Sequence, residues 1–286
     1  MKSGFVTIVG RPNVGKSTLM NFLLGMKLSA VTPKPQTTRH KIVGILNRED
    51  AQIIFVDTPG IFKPSYELQK IMVKTAFEAL EGVDIVILMV EPFQFEDELL
   101  QKLKEHNVIV AINKIDLMKR KESLLPLIES YSKYEWVKEV VPISALYGTN
   151  IDDLLNVIIK YLPEREPYYP EDQVSDRDER FFVAEIIREK IFKLYGQEVP
   201  YASTVVIDEF QEKPGKYYIK ATIYVETEGE KAILIGKDGR AIKKLGIEAR
   251  RDIEIFLNHP VYLELWVKVK KGWRKNKFLL KQFGYD

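Results

Sequence analysis

The chain has 286 residues, 45% hydrophobic and 29% charged, a balance that suits a globular protein of about two domains. With no cysteine and only His40, His106 and His259 scattered along it, the sequence excludes disulfides, thiol chemistry and Cys-ligated zinc. The net charge of +2 hides an asymmetry: Phe181–Asp286 carries 20 basic against 15 acidic residues, and Lys237–Asp286 alone carries 13 against 6, which points to an anionic partner, nucleic acid or membrane surface.

In chain order, strands are predicted at Phe5–Val9, Ile42–Leu46, Ile53–Val56, Ile85–Val90, Val108–Ile112 and Val137–Ile143. Helices are predicted after Gly15 and across Leu68–Leu80, Glu96–Glu105, Glu122–Lys133 and Ile151–Tyr161. Alternation of this kind implies a mainly parallel sheet covered on both faces, with ligands at the carboxyl ends of the strands. The pattern stops at Leu162–Glu179, rich in proline and charge, which reads as a linker. The longest apolar run, Ile85–Val90, is far below the roughly 18 residues of a membrane span, so no transmembrane segment is expected. The N-terminus enters a strand with no signal-peptide core, and the cytoplasm is the expected compartment.

The strongest chemical signal is "GRPNVGKS", a G-x-x-x-x-G-K-S loop between a strand and a helix. Gly10, Arg11, Pro12, Asn13, Val14, Gly15, Lys16, Ser17 and Thr18 make the expected phosphate site. Backbone N–H groups cradle phosphates there, Lys16 reaches the β and γ oxygens, and the Ser17 hydroxyl suits Mg²⁺. "DTPG" follows the third strand, contributing Asp57, Thr58, Pro59 and Gly60. The residue after it is Ile61, where a water-orienting glutamine is often found. At "NKID" Asn113, Lys114 and Asp116 follow another strand, and the Asp116 carboxylate can accept from both N1–H and the amine of guanine, which argues for GTP over ATP. Ser144, Ala145 and Leu146 end the next strand, where the Ala145 N–H could meet the guanine O6.

This ordered set resembles a translation-factor-type GTPase over roughly the first 165 residues. The resemblance implies a switch segment at Lys34–Gly44 whose Thr38, favoured over Thr37, serves Mg²⁺ and the γ-phosphate. It also implies that Asp57 holds the metal through water and that the Gly60 N–H contacts the γ-phosphate. Related glutamine-less GTPases use an asparagine at the position of Asn13 to help hold K⁺ beside the phosphates. Asn13, Lys16, Thr38 and Gly60 are therefore the expected catalytic residues, with Ser17, Thr38 and Asp57 on the metal. A binding module that holds GTP without hydrolysing it would account for Ile61 at least cost.

Beyond the linker the pattern is helix, strand, strand, helix, G-K-D-G, helix, strand, closing with a short basic helix at Arg274–Phe283. In the first of these helices Phe181, Ala184, Ile187, Ile191 and Leu194 form the expected core face. The order resembles the bacterial type of KH domain, whose G-x-x-G loop grips about four nucleotides of single-stranded RNA. Ile235, Gly236, Lys237, Asp238 and Gly239, with Arg240, Lys243 and Lys244 on the following helix, would line that groove.

The whole chain is similar to the bacterial Era family, on "VGRPNVGKSTLMN", "PQTTRHKIVGI", "FVDTPG", "NKID" and "LIGKDGRAIKKLG". The expected fold is an α/β P-loop GTPase domain with a mixed, mostly parallel sheet (residues 1–165), a linker (166–180) and an α+β type II KH domain (181–286). The resemblance implies a monomeric GTP/GDP switch that needs Mg²⁺, binds the 3′ end of 16S ribosomal RNA and assists 30S subunit maturation, with peripheral contact at the inner membrane. A tRNA-modifying GTPase shares "GRPNVGKS" but also carries a large folate-binding N-terminal region and a catalytic cysteine, and neither is found here.

Overall fold

In the computed structural model, which describes residues 1–93 and 95–285, the buried apolar runs pair into one six-stranded sheet. Asp286, last residue of the expected C-terminal domain, lies outside the described residues. The strands are β1 (Lys2–Gly10), β2 (Ile42–Asn47), β3 (Ala51–Asp57), β4 (Ile85–Val90), β5 (Val108–Ile112) and β6 (Val137–Pro142), in the order β2-β3-β1-β4-β5-β6. Only β2 runs antiparallel to its neighbour. β4 and β5 are buried at every residue, as strands covered on both faces must be. Helices α1 (Lys16–Leu24), α2 (Glu67–Glu78), α3 (Asp97–Gln101) and α4 (Leu125–Ser132) lie between its strands, and α5 (Ile151–Tyr161) follows β6.

Two of these helices differ from expectation. The predicted Glu96–Glu105 helix closes as α3, because apolar anchoring ends at Leu103 while Lys102, Lys104 and Glu105 are exposed. The predicted Glu122–Lys133 helix opens as a 3₁₀ turn over Lys121–Leu124 and becomes α-helical at α4, with Pro126 supplying a preset φ in its first turn.

The chain divides into two compact units: Met1–Ser29, Thr38–Lys63 and Met72–Asp176 form the first, and Ala30–Thr37, Pro64–Ile71 and Arg177–Asp286 the second. Much of the expected linker is therefore part of the first unit. Residues up to Ser175 lie along the free edge of β2: Ile45 N–H donates to the Val174 carbonyl at 2.9 Å, and Ser175 Oγ to the Val43 carbonyl at 2.5 Å. The fully buried Gln52 amide accepts from the Tyr168 and Tyr169 N–H groups and donates to the Tyr169 carbonyl. An edge strand left bare exposes unpaired backbone groups, and this polar segment covers them.

The second unit contains α6 (Glu179–Leu194), α7 (Val199–Ala202), β7 (Thr204–Lys213), β8 (Lys216–Val225), α8 (Glu228–Ile235), α9 (Arg240–Leu257), β9 (Val261–Val269) and α10 (Lys277–Gln282). Its sheet has the order β7-β8-β9, with β8 and β9 parallel. Ile219, Ala221, Ile223 and Val225 are fully buried against α6 and α9. The α6 core face keeps Ile187 and Ile191 of the expected stripe and adds Val183 and Ile186, while Phe181, Ala184 and Leu194 are only half-buried. Part of the reason is that α6 also buries Glu185 and Arg188, which pair with each other and so can leave water. The expected Arg274–Phe283 helix is split, because the Asn276 side chain accepts from the Phe278 and Leu279 N–H groups and starts α10 afresh.

Candidate nucleotide site and RNA groove

The motif loops of the first unit all follow carboxyl ends of its strands: "GRPNVGKS" after β1, "DTPG" after β3, "NKID" after β5 and "SAL" after β6. Gly15 enters α1 at φ 106°, and a Cβ there would stand 2.2 Å from Asn113 Nδ2, so the loop admits only glycine. Lys16 is buried and donates to the Gly10 and Arg11 carbonyls at 3.2 and 3.0 Å, folding the loop around its ammonium. Burial pushes that ammonium down to about 8, against the pull of Asp57. Burial likewise pushes the Asp57 carboxyl up, opposed by Lys16 and by the hydrogen bond from Ser17.

Three of the expected metal donors meet here. Ser17 Oγ lies 2.7 Å from Asp57 Oδ2 and 2.9 Å from Thr38 Oγ1. Asp57 Oδ1 is buried with no hydrogen-bond partner. Three convergent side-chain oxygens, with the second oxygen of the Asp57 carboxylate left unbonded beside them, fit a hard cation of the Mg²⁺ type. Thr37 is engaged elsewhere, with its hydroxyl donating to the Lys34 carbonyl at 2.8 Å and pairing with Thr32.

Gly60 passes directly over the P-loop, where a Cβ would lie 2.7 Å from the Pro12 nitrogen. The next residue, Ile61, donates its N–H to the Gly10 carbonyl at 3.0 Å and packs its side chain against the apolar cluster of Val9, Leu80 and Val86. Its role is to pin this turn to β1.

The base-side loops are joined by one buried amide. Asn113 Nδ2 donates to the Val14 carbonyl at 2.8 Å, and its Oδ1 accepts the Ala145 N–H at 2.9 Å. Asp116 is exposed, and its Oδ1 accepts from the buried Ser144 hydroxyl at 2.5 Å, which orients the carboxylate. Lys114, at φ 67°, forms an ion pair with Glu91. Leu146 is exposed at the rim.

Several expected contributors turn out to have other tasks. The Arg11 guanidinium forms a two-pronged pair with Glu96, with Nε–Oε2 at 2.5 Å and Nη2–Oε1 at 3.0 Å, so only its main chain serves the loop. The Thr58 hydroxyl donates to the Ile8 carbonyl at 2.8 Å, tying β3 to β1. The Ala145 N–H, expected at the guanine O6, is taken by Asn113. Thr18 is half-buried in the first turn of α1, and Pro59 is buried between Thr58 and Gly60. Glu91 and Glu96 carried no motif signal; each became visible only when the chain between them and the loop had folded.

In the second unit the G-K-D-G loop joins α8 to α9. Gly236 has φ 72°, and a Cβ there would be 2.6 Å from the Ala241 Cβ, while Asp238 and Gly239 also take left-handed φ values of 54° and 73°. Ile235 is half-buried, and Lys237, Arg240, Lys243 and Lys244 are exposed. Beside the loop, α9 and β9 enclose a groove of about 350 Å³ with an apolar floor of Ile242, Ile247, Leu263 and Leu265. Lys243 and Arg250 stand on its rim with Tyr262. Of the expected RNA residues only Lys243 lines this cavity. The floor was missed because its residues read as ordinary core positions of a helix and a strand.

A G-x-x-x-x-G-K-S loop between β1 and α1, with the DTPG and NKID loops at the carboxyl ends of the same sheet, defines the class of P-loop GTPases, and the second unit has the type II KH order with its glycine loop. A family model described as 50S ribosome-binding GTPase matches residues 5–114, and a KH domain model matches 198–274. The GTPase Era of Lactobacillus helveticus (strain DPC 4571) is 50% identical over 292 residues, covering all of this chain and 96% of that protein. The crystal structure of a point variant of Aquifex aeolicus Era bound to GDP·AlF₄⁻ superposes with a TM-score of 0.95 at 44% identity, covering 100% and 99% of the two chains. A structure of Era with MgGDPNP and nucleotides 1506–1542 of 16S ribosomal RNA gives 0.94 at 44% identity and the same coverage. The chain belongs to the Era family and is a GTPase.

Proposed function

We propose that this chain is a GTP-operated switch that holds the 3′ end of 16S ribosomal RNA in its KH groove and assists maturation of the 30S subunit. The observation that carries the nucleotide half is the meeting of Ser17, Thr38 and Asp57, with its unpartnered oxygen, beside the buried Lys16. These three side chains would hold Mg²⁺, which when bound neutralises charge on the β and γ oxygens. Lys16 exchanges its two loop carbonyls for phosphate oxygens, and the Gly60 N–H meets the γ-phosphate. Asp116, oriented by Ser144, accepts from the guanine edge. Asn113 keeps phosphate loop and base loop in register by bonding to both.

The water that attacks the γ-phosphate is oriented without help from residue 61, because the Ile61 side chain is committed to the core. Asn13, at φ 64° on the exposed turn of the loop, offers a carboxamide oxygen suited to K⁺. Positive charge beside the transferring phosphate is worth about 10³- to 10⁵-fold in rate when an arginine finger supplies it, and K⁺ would supply charge of the same sign here. In this reading the protein works as a cytoplasmic monomer with peripheral contact at the inner membrane. No described helix is long and apolar enough to cross a membrane.

The test is phosphate release from GTP with and without a ribosomal RNA 3′-end fragment, in K⁺ and in Na⁺. The reading expects turnover in K⁺ that falls in Na⁺ and in Asn13→Ala, and saturable binding of the fragment. Equal turnover in both salts removes the K⁺ site, and absent RNA binding removes the ribosomal role.

A further inference from the structure

Along β8 the residues Ile219, Ala221, Ile223 and Val225 face the helices, so Tyr218, Lys220, Thr222 and Tyr224 face the other way. In β9 the same alternation turns Tyr262, Glu264, Trp266 and Lys268 to that side, with Tyr262 opposite Tyr218 and Trp266 opposite Thr222. One end of this side is covered, with Thr222 buried and Tyr224 packed on the Phe283 ring at 4.8 Å, and the exposed part is the Tyr262–Trp266 stretch. Here Tyr262 and Trp266 are each 50% exposed, on the strand that forms the edge of the sheet.

The rings are held in place. Tyr218 and Tyr262 stack with centroids 5.4 Å apart and planes 8° from parallel. Glu264 accepts from Tyr218 Oη at 2.8 Å and from Trp266 Nε1, so one carboxylate fixes a ring on either side of it. Lysines stand over the same rings: Lys213 at 4.5 Å from the Tyr218 centroid, Lys216 at 5.7 Å from Tyr262, and Lys220 at 5.8 Å from Trp266. Lys268 is exposed on the same strand. Three acids lie near the centre of this side, Glu264, Glu209 at 3.8 Å from Lys220, and Asp208, which accepts from Thr222 Oγ1 at 2.6 Å, so phosphates are left the lysine flanks.

Tyr262 also lines the groove between α9 and β9, so the row of rings begins where the groove ends. A KH groove accommodates about four nucleotides, and the next base must leave over its rim. We propose that the open face of β8 and β9 is a second contact for single-stranded RNA, in which bases leaving the groove stack on Tyr262 and then Trp266 while Lys216, Lys220 and Lys268 meet the backbone. This inference rests on the RNA-binding reading of the KH unit and lengthens its footprint beyond the groove. Stacking tolerates any base, so the platform adds affinity with little sequence preference.

The experiment measures binding of the full chain to a labelled single strand of about 12 nucleotides from the ribosomal RNA 3′ end, and to a version whose nucleotides outside the groove are abasic. Loss of one stacked base weakens binding by about 5- to 100-fold, so Tyr262→Ala and Trp266→Ala should each lose affinity for the intact strand within that range. Tyr262→Phe, which keeps the ring, should bind like wild type, and Trp266→Ala, which lies outside the groove lining, should bind the abasic strand like wild type. Intact-strand affinities within about twofold of wild type in both alanine variants overturn the platform, as does equal loss in Tyr262→Phe. If Gly236→Asp leaves RNA affinity unchanged, or wild type does not bind, the groove reading fails and the platform falls with it. Groove dependence that persists while the ring variants stay neutral sinks the platform alone.

Discussion

The two sites solve opposite problems. The nucleotide site is built from buried polar atoms, with Lys16, Thr38, Asp57, Asn113 and Ser144 each under one-tenth exposed and bonded to one another or to backbone. The groove proposed for RNA is an apolar floor edged by exposed cations and a half-exposed tyrosine. A small ligand with fixed charge is met by preorganised partners in low dielectric, where each bond counts for more. A flexible polymer is met by shape, stacking and screened charge. Point changes should therefore act steeply and specifically at the first site and more gradually, and in a salt-dependent way, at the second.

The largest effect should come from Asp116→Asn. It removes a charged acceptor of two hydrogen bonds worth about 1.5–3 kcal/mol each, so GTP affinity should fall by about 10² to 10⁴ and xanthosine triphosphate should gain. Fluorescent-nucleotide titration reads this, and undiminished GTP binding would refute the guanine assignment. Gly236→Asp forces a side chain onto φ 72° with 2.6 Å to the Ala241 Cβ, and should abolish RNA binding while GTP affinity stays near wild type. A parallel loss of both would mean that the two sites are not separable.

A smaller effect tests the tie between loops. Asn113→Ala removes the bonds to Val14 and Ala145 and leaves buried groups unpaired, costing about 1–3 kcal/mol, so GTP should bind roughly tenfold more weakly with RNA unaffected. The smallest is protonic. Since the Lys16 ammonium lies at about 8 and a bound phosphate must raise it, GTP binding should take up part of a proton near pH 8.5 and almost none near pH 7. Affinity should then decline as pH climbs above 8. Calorimetry in two buffers of different ionisation heat measures the uptake, and buffer-independent heats at pH 8.5 would contradict it.

The motifs that could be read directly are those whose chemistry is local in sequence. Gly10 to Ser17 sit on one turn, and their placement after β1 followed from a short apolar run. What stayed hidden is contact across distance. Arg11 was read only as a member of the phosphate loop, and nothing local in sequence showed that Glu96 pairs with its guanidinium. Asn113 read as part of the base site, yet it links Val14 to Ala145. Residues 166–176 have the composition of a linker because they lie on a surface, but Gln52 and the edge of β2 hold them. Leu263 and Leu265 obey strand alternation whether they floor a groove or fill a core, so the RNA site was visible only in its glycines and lysines.

The central claim is that Ser17, Thr38 and Asp57 form one metal site that hydrolyses GTP without a glutamine. Single-turnover phosphate release across a Mg²⁺ titration, comparing Thr37→Ala with Thr38→Ala, tests it most directly. Thr38→Ala should lose at least about tenfold in rate and shift its Mg²⁺ dependence to higher concentration, while Thr37→Ala stays within about twofold of wild type, in line with the loss of a transition-state contact. A Thr38→Ala variant that turns over like wild type at every Mg²⁺ concentration would contradict the account.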